Sequence, residues 1–367
     1  MKRWFFIIFL FFICPFFVNY FPAHGAPPTP ENPLILKEAQ FIGPTHFLIH
    51  EKTGPFTYYR REIEKRTGGR VKIQLYHSQS LGKAKDHFDL ARKGVADLSG
   101  IVQGYTPGFF PLTAVAQLPF PAPGTSFSVV AKALWELNKK GVLDKAYHSV
   151  KVLNLDPTDQ YIIFTKKKIS KLEDFKGLRI RSAGGEWPDI LNAWGATPVS
   201  MSIADAYMGL QRGMIDAIAT NWAAAPGWKI YEVAEYVLES YVGSSALAFI
   251  MNLDTWKNLP PDIQKVFDDF NEEFVGMATH GAEKLDVLGY ELFGQKVGRR
   301  EFMEKGIKVC ELPPEETAKM RKAVIPLWEK WVKDTEAEGL PGKKVMEAYI
   351  AALRQYGAKP IYEPTWK

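Results

Sequence analysis

Residues 169–185 read ISKLEDFKGLRIRSAGG, and this stretch decides the fold class. Its first half predicts a single helical turn that a glycine ends, and GLRIRS predicts a strand because Leu178 and Ile180 alternate with arginines. The strand runs directly into Gly184 and Gly185, after which EWPDILNAWG predicts a helix. A strand, a glycine-rich loop and a helix in this order are typical of α/β proteins, whose ligands bind beyond the carboxyl ends of the strands.

Strand and helix patterns alternate along the rest of the chain. The predicted strands are LILKEAQFIG (34–43), VKIQLY (71–76), VADLSGIV (95–102), KVLNL (151–155), YIIFT (161–165), DAIAT (216–220) and ALAFIMN (246–252). The predicted helices cover about 45–65, 81–93, 127–140, 186–195, 204–214, 315–337 and 343–356. We therefore expect an α/β protein with mostly parallel strands.

A long apolar stripe runs from about 261 to 298 without a strong helix breaker. At 1.5 Å per residue, a helix of this length reaches on the order of 50 Å, which is longer than a single small domain requires. The 367 residues of the chain suggest two compact domains. We therefore expect two lobes with a cleft between them, and a long helix that crosses from one lobe to the other.

The charge and the short motifs exclude several function classes. The formal charge of +5 comes from 46 basic and 41 acidic residues that are spread along the chain, so a nucleic-acid partner is not expected. The chain has no phosphate-binding GxxxxGK[ST], no GxGxxG after a strand, no GxSxG and no HExxH. The common signatures of nucleotide binding, serine hydrolysis and zinc catalysis are therefore absent.

The N-terminal segment has the layout of a secretory signal. Lys2 and Arg3 precede an uncharged run at 4–21, and small and proline residues follow, so residues 1–25 are predicted to be a signal peptide for export. An uncleaved anchor is the alternative. Removal of the segment leaves Cys310 as the only thiol, which excludes an intrachain disulfide.

Arg181 is the strongest candidate for a binding residue. It lies near the exit of the strand that leads into the glycine loop, and its planar guanidinium matches a carboxylate in two-point contact. The alternative is a structural ion pair with Glu186 or Asp189.

His46 and His50, four residues apart, offer a metal pair, but a solvated or capping role is favoured.

Aromatic residues follow several strand ends. They are Tyr105, Phe109, Phe110, Tyr161, Trp187 and Trp222. Although most aromatic side chains belong to cores, these positions favour a flat or aromatic acid as ligand. Aliphatic keto acids, dicarboxylates and sugar acids stay open as alternatives.

At these residues the chain resembles the solute-binding proteins of tripartite ATP-independent periplasmic (TRAP) transporters, over about residues 34–353. The matching stretches are EKRTGGRVKIQLYHSQSLG (64–82), YTPGFFPLTAVAQLPF (105–120), ISKLEDFKGLRIRSAGG with WGATPVSMSIADAYMGLQRGMIDA (194–217), and MNLDTWKNLPPDIQKVF (251–267). The sequence DAIATNWAAAPG (216–227) departs from the family pattern, which leaves the register of its ligand contacts open.

The resemblance implies the two-lobed fold of type II periplasmic binding proteins. Lobe I would comprise 34–158 with about 247–287, and lobe II would comprise 159–246 with about 288–353. Arg181 falls where the family binds a carboxylate. The other residues expected in the cleft are Thr45, His46, Tyr105, Gln160, Trp187, Asn221, Trp222 and Phe249. A metal ion beside the substrate would use Gln160 and Trp222, and no other cofactor is expected.

The implied function is a periplasmic receptor without catalysis. It binds an organic acid between its lobes and delivers it to the membrane subunits of a TRAP transporter, as a monomer. The first alternative is a secreted lyase or isomerase of small carboxylic acids that uses the same cleft. A binding protein that hands its ligand to a signalling partner is the second.

Overall fold

The computed structural model describes residues 27–52, 54–121, 127–275 and 298–366. In this part of the chain, two separate β-sheets, each covered by helices, form two lobes. Each sheet is mixed and mostly parallel, as the sequence predicts. The predicted segment 1–25 lies outside the described residues. Within the described ranges, no helix has both the length and the apolar character that a bilayer span requires.

Lobe I is built on a five-stranded sheet with strand order β2-β1-β3-β10-β4. Its strands are β1 (Leu34–Ala39), β2 (Val71–Tyr76), β3 (Leu98–Val102), β4 (Val150–Pro157) and β10 (Ala246–Asn252). Strand β10 runs antiparallel to both of its neighbours. The helices of this part are α1 (Pro55–Arg66), α2 (His87–Arg92), α3 (Phe127–Lys139), α6 (Leu253–Asn258) and α7 (Pro261–Phe274).

Lobe II is built on a six-stranded sheet with strand order β11-β9-β5-β8-β6-β7. Its strands are β5 (Ile162–Thr165), β6 (Arg179–Ser182), β7 (Thr197–Ser200), β8 (Ala217–Thr220), β9 (Tyr236–Leu238) and β11 (Lys308–Cys310). Only β5 runs against its neighbours. The helices are α4 (Trp187–Ala193), α5 (Ile203–Gln211), α8 (Gly298–Glu304) and α9 (Pro314–Val324).

Two extended segments connect the sheets. The first leads from β4 to β5 through 158–161, and the second leads from β9 to β10 through 239–245. They are joined by backbone hydrogen bonds of 2.7 Å, from Thr158 N to Ser245 O and from Tyr161 N to Gly243 O. We call these two segments, 158–161 and 239–245, the hinge strands. Both lie at the boundary between the lobes.

The last two helices pack on a different lobe from the one that the sequence predicts. Helices α10 (Leu327–Ala337) and α11 (Gly342–Gln355) follow α9, and α11 packs against α3 of lobe I. The indole Nε1 of the fully buried Trp328 donates to the Pro119 carbonyl oxygen at 2.9 Å. Residues 327–353 therefore pack on the core of lobe I, whereas the sequence assigned 288–353 to lobe II. The chain returns to lobe I immediately after α9.

The predicted long helix is shorter than expected where the structure describes it. Helix α7 ends at Phe274, and Val275 leaves the helical region with φ −55° and ψ 124°. The helix that was predicted over 261–298 is therefore interrupted after 14 residues. Residues 276–297, which carry the rest of the prediction, lie outside the described residues.

Candidate functional site

A cavity lies between the two lobes, where the hinge strands, β6, β8 and the loop after β1 meet. The cavity volume accessible to the centres of water molecules is about 60 Å³. This is several times the roughly 10–15 Å³ of such volume that one water molecule needs. The lining residues are Phe41, Ile42, His46, Phe47, Leu48, Val102, Tyr105, Thr158, Asp159, Tyr161, Arg181, Ile203, Thr220, Asn221, Ala224, Trp228 and Leu247.

Arg181 provides the positive charge of this cavity. Strand β6 places it between β7 and β8, opposite Val199 and Ile218, and only 1% of the residue is exposed. Its Nε donates to the Met201 carbonyl oxygen at 3.0 Å, and its Nη1 donates to the Ala219 carbonyl oxygen at 2.9 Å. Two main-chain carbonyls therefore fix the plane of the guanidinium.

The third hydrogen bond of Arg181 crosses to lobe I. Its Nη2 donates to the Tyr105 hydroxyl at 2.8 Å, and the backbone N of Ile203 donates to the same hydroxyl at 2.9 Å. All three acceptors of the guanidinium are neutral oxygens, so these bonds do not neutralise its charge. Two of its five N–H donors, one on each terminal nitrogen, are not used in these three bonds.

His46 contributes a neutral imidazole. Burial lowers the pKa of His46 to about 3, because the charged ring loses its hydration. The backbone N of Leu48 donates to Nδ1 at 3.3 Å, so the ring proton resides on Nε2. The ring stacks on Phe47 with a centroid distance of 4.9 Å. His46 can therefore donate a hydrogen bond from Nε2 at neutral pH without adding a charge.

Asn221 supplies a second polar group, directly after β8. Its Oδ1 accepts from the backbone N of Ala224 at 2.8 Å, which caps the following turn. Because the amide oxygen is used in this way, the Nδ2 group is the part of the side chain that can donate to a ligand. Arg181, Tyr105, His46 and Asn221 together offer donors from both lobes to an anion.

Comparison with known proteins identifies the family. The model of the family described as DctP, bacterial extracellular solute-binding protein, family 7, matches residues 48–334. The chain belongs to this family. Among its relatives is the uncharacterized protein YiiZ of Salmonella typhimurium, which is 26% identical over 57% of this chain and 64% of the relative. The matched part thus spans somewhat less than two thirds of that relative.

Solved structures of TRAP solute-binding proteins have the same two-lobed fold. One from Rhodoferax ferrireducens, in complex with copurified benzoate, aligns with a TM-score of 0.78 and 23% identity over 88% of this chain and 98% of that chain. A marine metagenome protein specific for aromatic acid ligands, with 3-hydroxybenzoate, aligns with a TM-score of 0.77 and 25% identity over 89% and 99%. Members of the family are solute receptors, and both the predicted family and the predicted fold are confirmed.

Four of the predicted site residues of this family 7 protein line the cavity. Arg181, Tyr105, His46 and Asn221 are brought together from four separate parts of the sequence. The alternative ion pair of Arg181 with Asp189 is not formed, since Asp189 pairs with Lys330 at 2.8 Å.

Three of the predicted aromatic residues belong to the cores instead. Trp187 lies behind Tyr161, and its Nε1 donates to the Ser244 carbonyl oxygen at 3.0 Å. Trp222 packs against Phe164 and Phe302, and Phe249 packs against Phe56 and Tyr59 beneath α1. Each is at most 2% exposed and none lines the cavity, so the structure places these three side chains in the cores and outside the lining of the cavity.

Gln160 and Thr45 each lie beside a residue that does line the cavity. In the first hinge strand, Thr158, Asp159 and Tyr161 line the cavity, and Gln160 does not. Thr45 is exposed, while the following His46 is buried and lines the site. Both predictions are therefore displaced by a single residue.

The structure adds cavity residues that the sequence did not single out. They include Phe41, Phe47, Trp228 and the buried Asp159. Phe41 and Phe47 follow the end of β1, a position that could have pointed to them, and Asp159 lies in the segment that leads from β4 to β5. Trp228 follows a turn far from any strand end, so no local pattern distinguishes it.

The metal prediction has no support from these positions. Neither Gln160 nor the Trp222 side chain lines the cavity. Among the described ranges, no three His, Cys, Asp or Glu side chains come close enough to hold a metal ion. His46 lines the cavity and His50 does not, so the two histidines do not meet at this site. A metal bound together with the solute stays an untested prediction.

Proposed function

We propose that this protein is the periplasmic receptor of a TRAP transporter and that it captures a small aromatic carboxylate between its lobes. The observation that carries the proposal is the buried Arg181 in a cavity walled by aromatic rings. The three hydrogen bonds that fix the guanidinium leave its charge for an anion. A carboxylate can accept from both of the remaining N–H groups.

The walls of the cavity favour a flat ligand. Phe41, Phe47, Tyr105, Tyr161 and Trp228 surround the space next to Arg181. Aromatic rings prefer stacked or edge-to-face contacts with other rings, and such contacts contribute beyond the buried area. Benzoate and 3-hydroxybenzoate are the ligands of two structurally similar TRAP proteins, which supports the same class here.

The proposed mechanism is closure around the anion. In the open cleft, water screens the guanidinium, and closure removes that water, so the Arg181–carboxylate pair becomes stronger in a lower dielectric. The ligand favours the closed form only through contacts that the open form lacks. Tyr105 of lobe I and Arg181 of lobe II provide such contacts from both sides.

The polar groups of the cavity support binding without catalysis. A general base at neutral pH needs a pKa close to 7. Burial instead holds the pKa of His46 at about 3, so the imidazole is a weak base there. The predicted signal peptide at 1–25 would export the protein, and the membrane subunits of the transporter would receive the ligand.

A ligand panel tests this proposal. Purified protein without the first 25 residues is heated with benzoate, 3-hydroxybenzoate, mandelate, galacturonate, a C4-dicarboxylate or an aliphatic keto acid, and each acid is assayed for product formation. We expect the aromatic acids to raise the melting temperature most, without turnover. Stabilisation only by a sugar acid or a dicarboxylate would overturn the ligand class, and product formation would overturn the receptor function.

A further inference from the structure

A second groove between the lobes shares no lining residue with the cavity around Arg181. Lobe I supplies one wall from the segment 103–117, and lobe II supplies the other from 184–188 and Ser200. The volume accessible to the centres of water molecules is about 300 Å³ in this groove, against about 60 Å³ in the Arg181 cavity. The groove therefore has room for a small molecule of its own.

Glu186 makes this groove acidic. It is the only ionisable side chain among the described residues that line the groove, and no described residue forms a hydrogen bond or an ion pair with its carboxyl group. Burial and the neighbouring carboxylates of Asp189 and Asp334 raise the pKa of Glu186 to about 8. The only nearby cation that opposes this shift is Lys330, which is already paired with both aspartates. An ionised Glu186 therefore needs a further positive charge.

Two glutamines of the lobe I wall add acceptor oxygens. Gln103 and Gln117 are 2% and 1% exposed, and neither Oε1 atom has a hydrogen-bond partner in the described part of the chain. The amide of Gln117 lies directly against lobe II, since a Cβ atom at Gly185 would be 1.9 Å from its Oε1. Buried polar atoms nearly always have a partner, so these oxygens indicate a ligand that brings donors.

The acceptors and the apolar walls together define the ligand. Phe110, Pro107 and Pro188 offer hydrocarbon surface beside the carboxyl group. A primary ammonium has three N–H donors and no acceptor. A divalent metal ion needs several oxygen ligands, but no three acidic, His or Cys side chains of the described residues come together. We propose that this groove binds a small organic ammonium ion, whose N–H groups donate to Glu186 and Gln117.

The site is separate from the carboxylate site and goes beyond the proposed function. Because its walls come from both lobes, the groove is complete only when the lobes are together. An amine in the groove and a solute in the Arg181 cavity then favour the same form of the protein, so each should strengthen the binding of the other.

Calorimetric titration with n-butylammonium chloride tests the site, with and without benzoate, at about pH 8.5, where most of the Glu186 carboxyl groups are ionised. We expect at least tenfold weaker binding to Glu186→Gln than to the wild type. Asp205→Asn is the matched control, because it removes a carboxylate from the neighbouring groove, and it should bind within twofold of the wild type. Equal affinities of the wild type and Glu186→Gln, or no binding to the wild type in either condition, would overturn the proposal.

Gln117→Leu tests the second contact. It keeps a side chain of similar size and removes the acceptor, so n-butylammonium should bind severalfold more weakly than to the wild type. An unchanged affinity would remove Gln117 from the site.

Three further probes test the ligand class at the same ionic strength. Sodium chloride and n-butanol should not compete with n-butylammonium, because the first lacks N–H donors and the second lacks the charge. Competition by sodium at equal concentration would replace the organic ammonium by an inorganic cation. Tenfold tighter binding of acetyl-lysine amide would replace the free amine by a lysine side chain of a partner protein.

Benzoate binding separates this proposal from the proposed function. Glu186 does not line the Arg181 cavity, so Glu186→Gln should keep the melting temperature and the benzoate affinity of the wild type when no amine is present. Loss of benzoate binding in a folded Glu186→Gln would contradict two separate sites. If the wild type binds n-butylammonium but none of the aromatic acids, the proposed function is wrong and the ammonium site stands.

Discussion

At the scale of single residues, Arg179 and Arg181 show how one strand separates an arginine in a surface ion pair from the buried arginine that is proposed to bind the anion. Arg179 is exposed and bonds to Asp216, its Nη2 lying 3.0 Å from Oδ1, which also lowers the pKa of that carboxyl. Arg181 lies two residues further along β6, is buried, and donates only to neutral oxygens. The surroundings of these residues, and not their type, decide which arginine meets an anion.

His46 gives the residue-scale prediction. Its pKa of about 3 in the closed form lies below the ordinary 6.5, so closure favours the neutral ring. The contribution of the neutral His46 ring to the stability of the closed form is complete above pH 6.5 and is lost as the pH falls towards about 3. We expect the benzoate affinity of the wild type, relative to His46→Asn, to fall roughly tenfold or more between pH 7 and pH 5.

Titration calorimetry at several pH values measures this ratio of affinities, in which the contributions of other titrating groups cancel. His77→Gln, which changes an exposed histidine of lobe I, is the control and should follow the wild type. A ratio between the wild type and His46→Asn that stays constant from pH 7 to pH 5 would show that closure does not bury His46.

The sequence predicts the site better at polar strand exits than at aromatic positions. Arg181, Asn221 and Tyr105 follow from strand ends and from the family resemblance. Trp187 and Trp222 come equally close to strand ends along the chain, yet their large apolar rings turn into the cores. Only the three-dimensional packing distinguishes an aromatic residue that lines a cavity from one that fills a core.

At the scale of secondary-structure elements, most of the strands are predicted correctly and three short ones, β7, β9 and β11, are missed. The predicted strand GLRIRS (177–182) contains β6, and the seven other predicted strands contain β1, β2, β3, β4, β5, β8 and β10. Strands β9 and β11 are missed because they have only three residues, and β7 is missed because it contains Pro198, which is disfavoured within a strand. The predicted helix over 315–337 divides into α9 and α10 at Ile325 and Pro326, because proline interrupts the helical hydrogen bonds.

The return of the C-terminal helices to lobe I gives the element-scale prediction. Trp328 of α10 is fully buried, donates to Pro119 and stacks on Tyr362 at a centroid distance of 5.2 Å. Trp328→Ala should lower the free energy of unfolding by about 3–5 kcal/mol, through the cavity it leaves and the lost hydrogen bond.

Urea denaturation of Trp328→Ala measures this loss, and the partly buried Trp366 offers the control. Trp366→Ala should cost about 1 kcal/mol or less, because that side chain lies at the edge of the same core. Equal and small losses in the two variants would contradict the packing of α10 on lobe I. The folded fraction of Trp328→Ala should still bind benzoate, since Trp328 does not line the cavity.

At the scale of the whole molecule, the cavity exists only because the two sheets face each other across the hinge. Its donors come from the loop after β1, the loop after β3, and strands β6 and β8, and no single lobe contains all of them. The net charge of +5 is incidental, because a single buried guanidinium is proposed to select the anion. Closure then changes the shape of the molecule that the membrane subunits would meet.

The central claim is that the carboxylate of the ligand binds Arg181 between the closed lobes. Calorimetric titration of benzoate into the wild type, Arg181→Ala and Arg179→Ala tests it most directly. Loss of two charge-assisted hydrogen bonds, each of about 1.5–3 kcal/mol, should weaken binding to Arg181→Ala at least a hundredfold. Arg179→Ala should bind like the wild type, because it loses a surface ion pair with Asp216 and a hydrogen bond to the Gly213 carbonyl oxygen, both away from the cavity. A change of less than threefold in a folded Arg181→Ala would contradict the account.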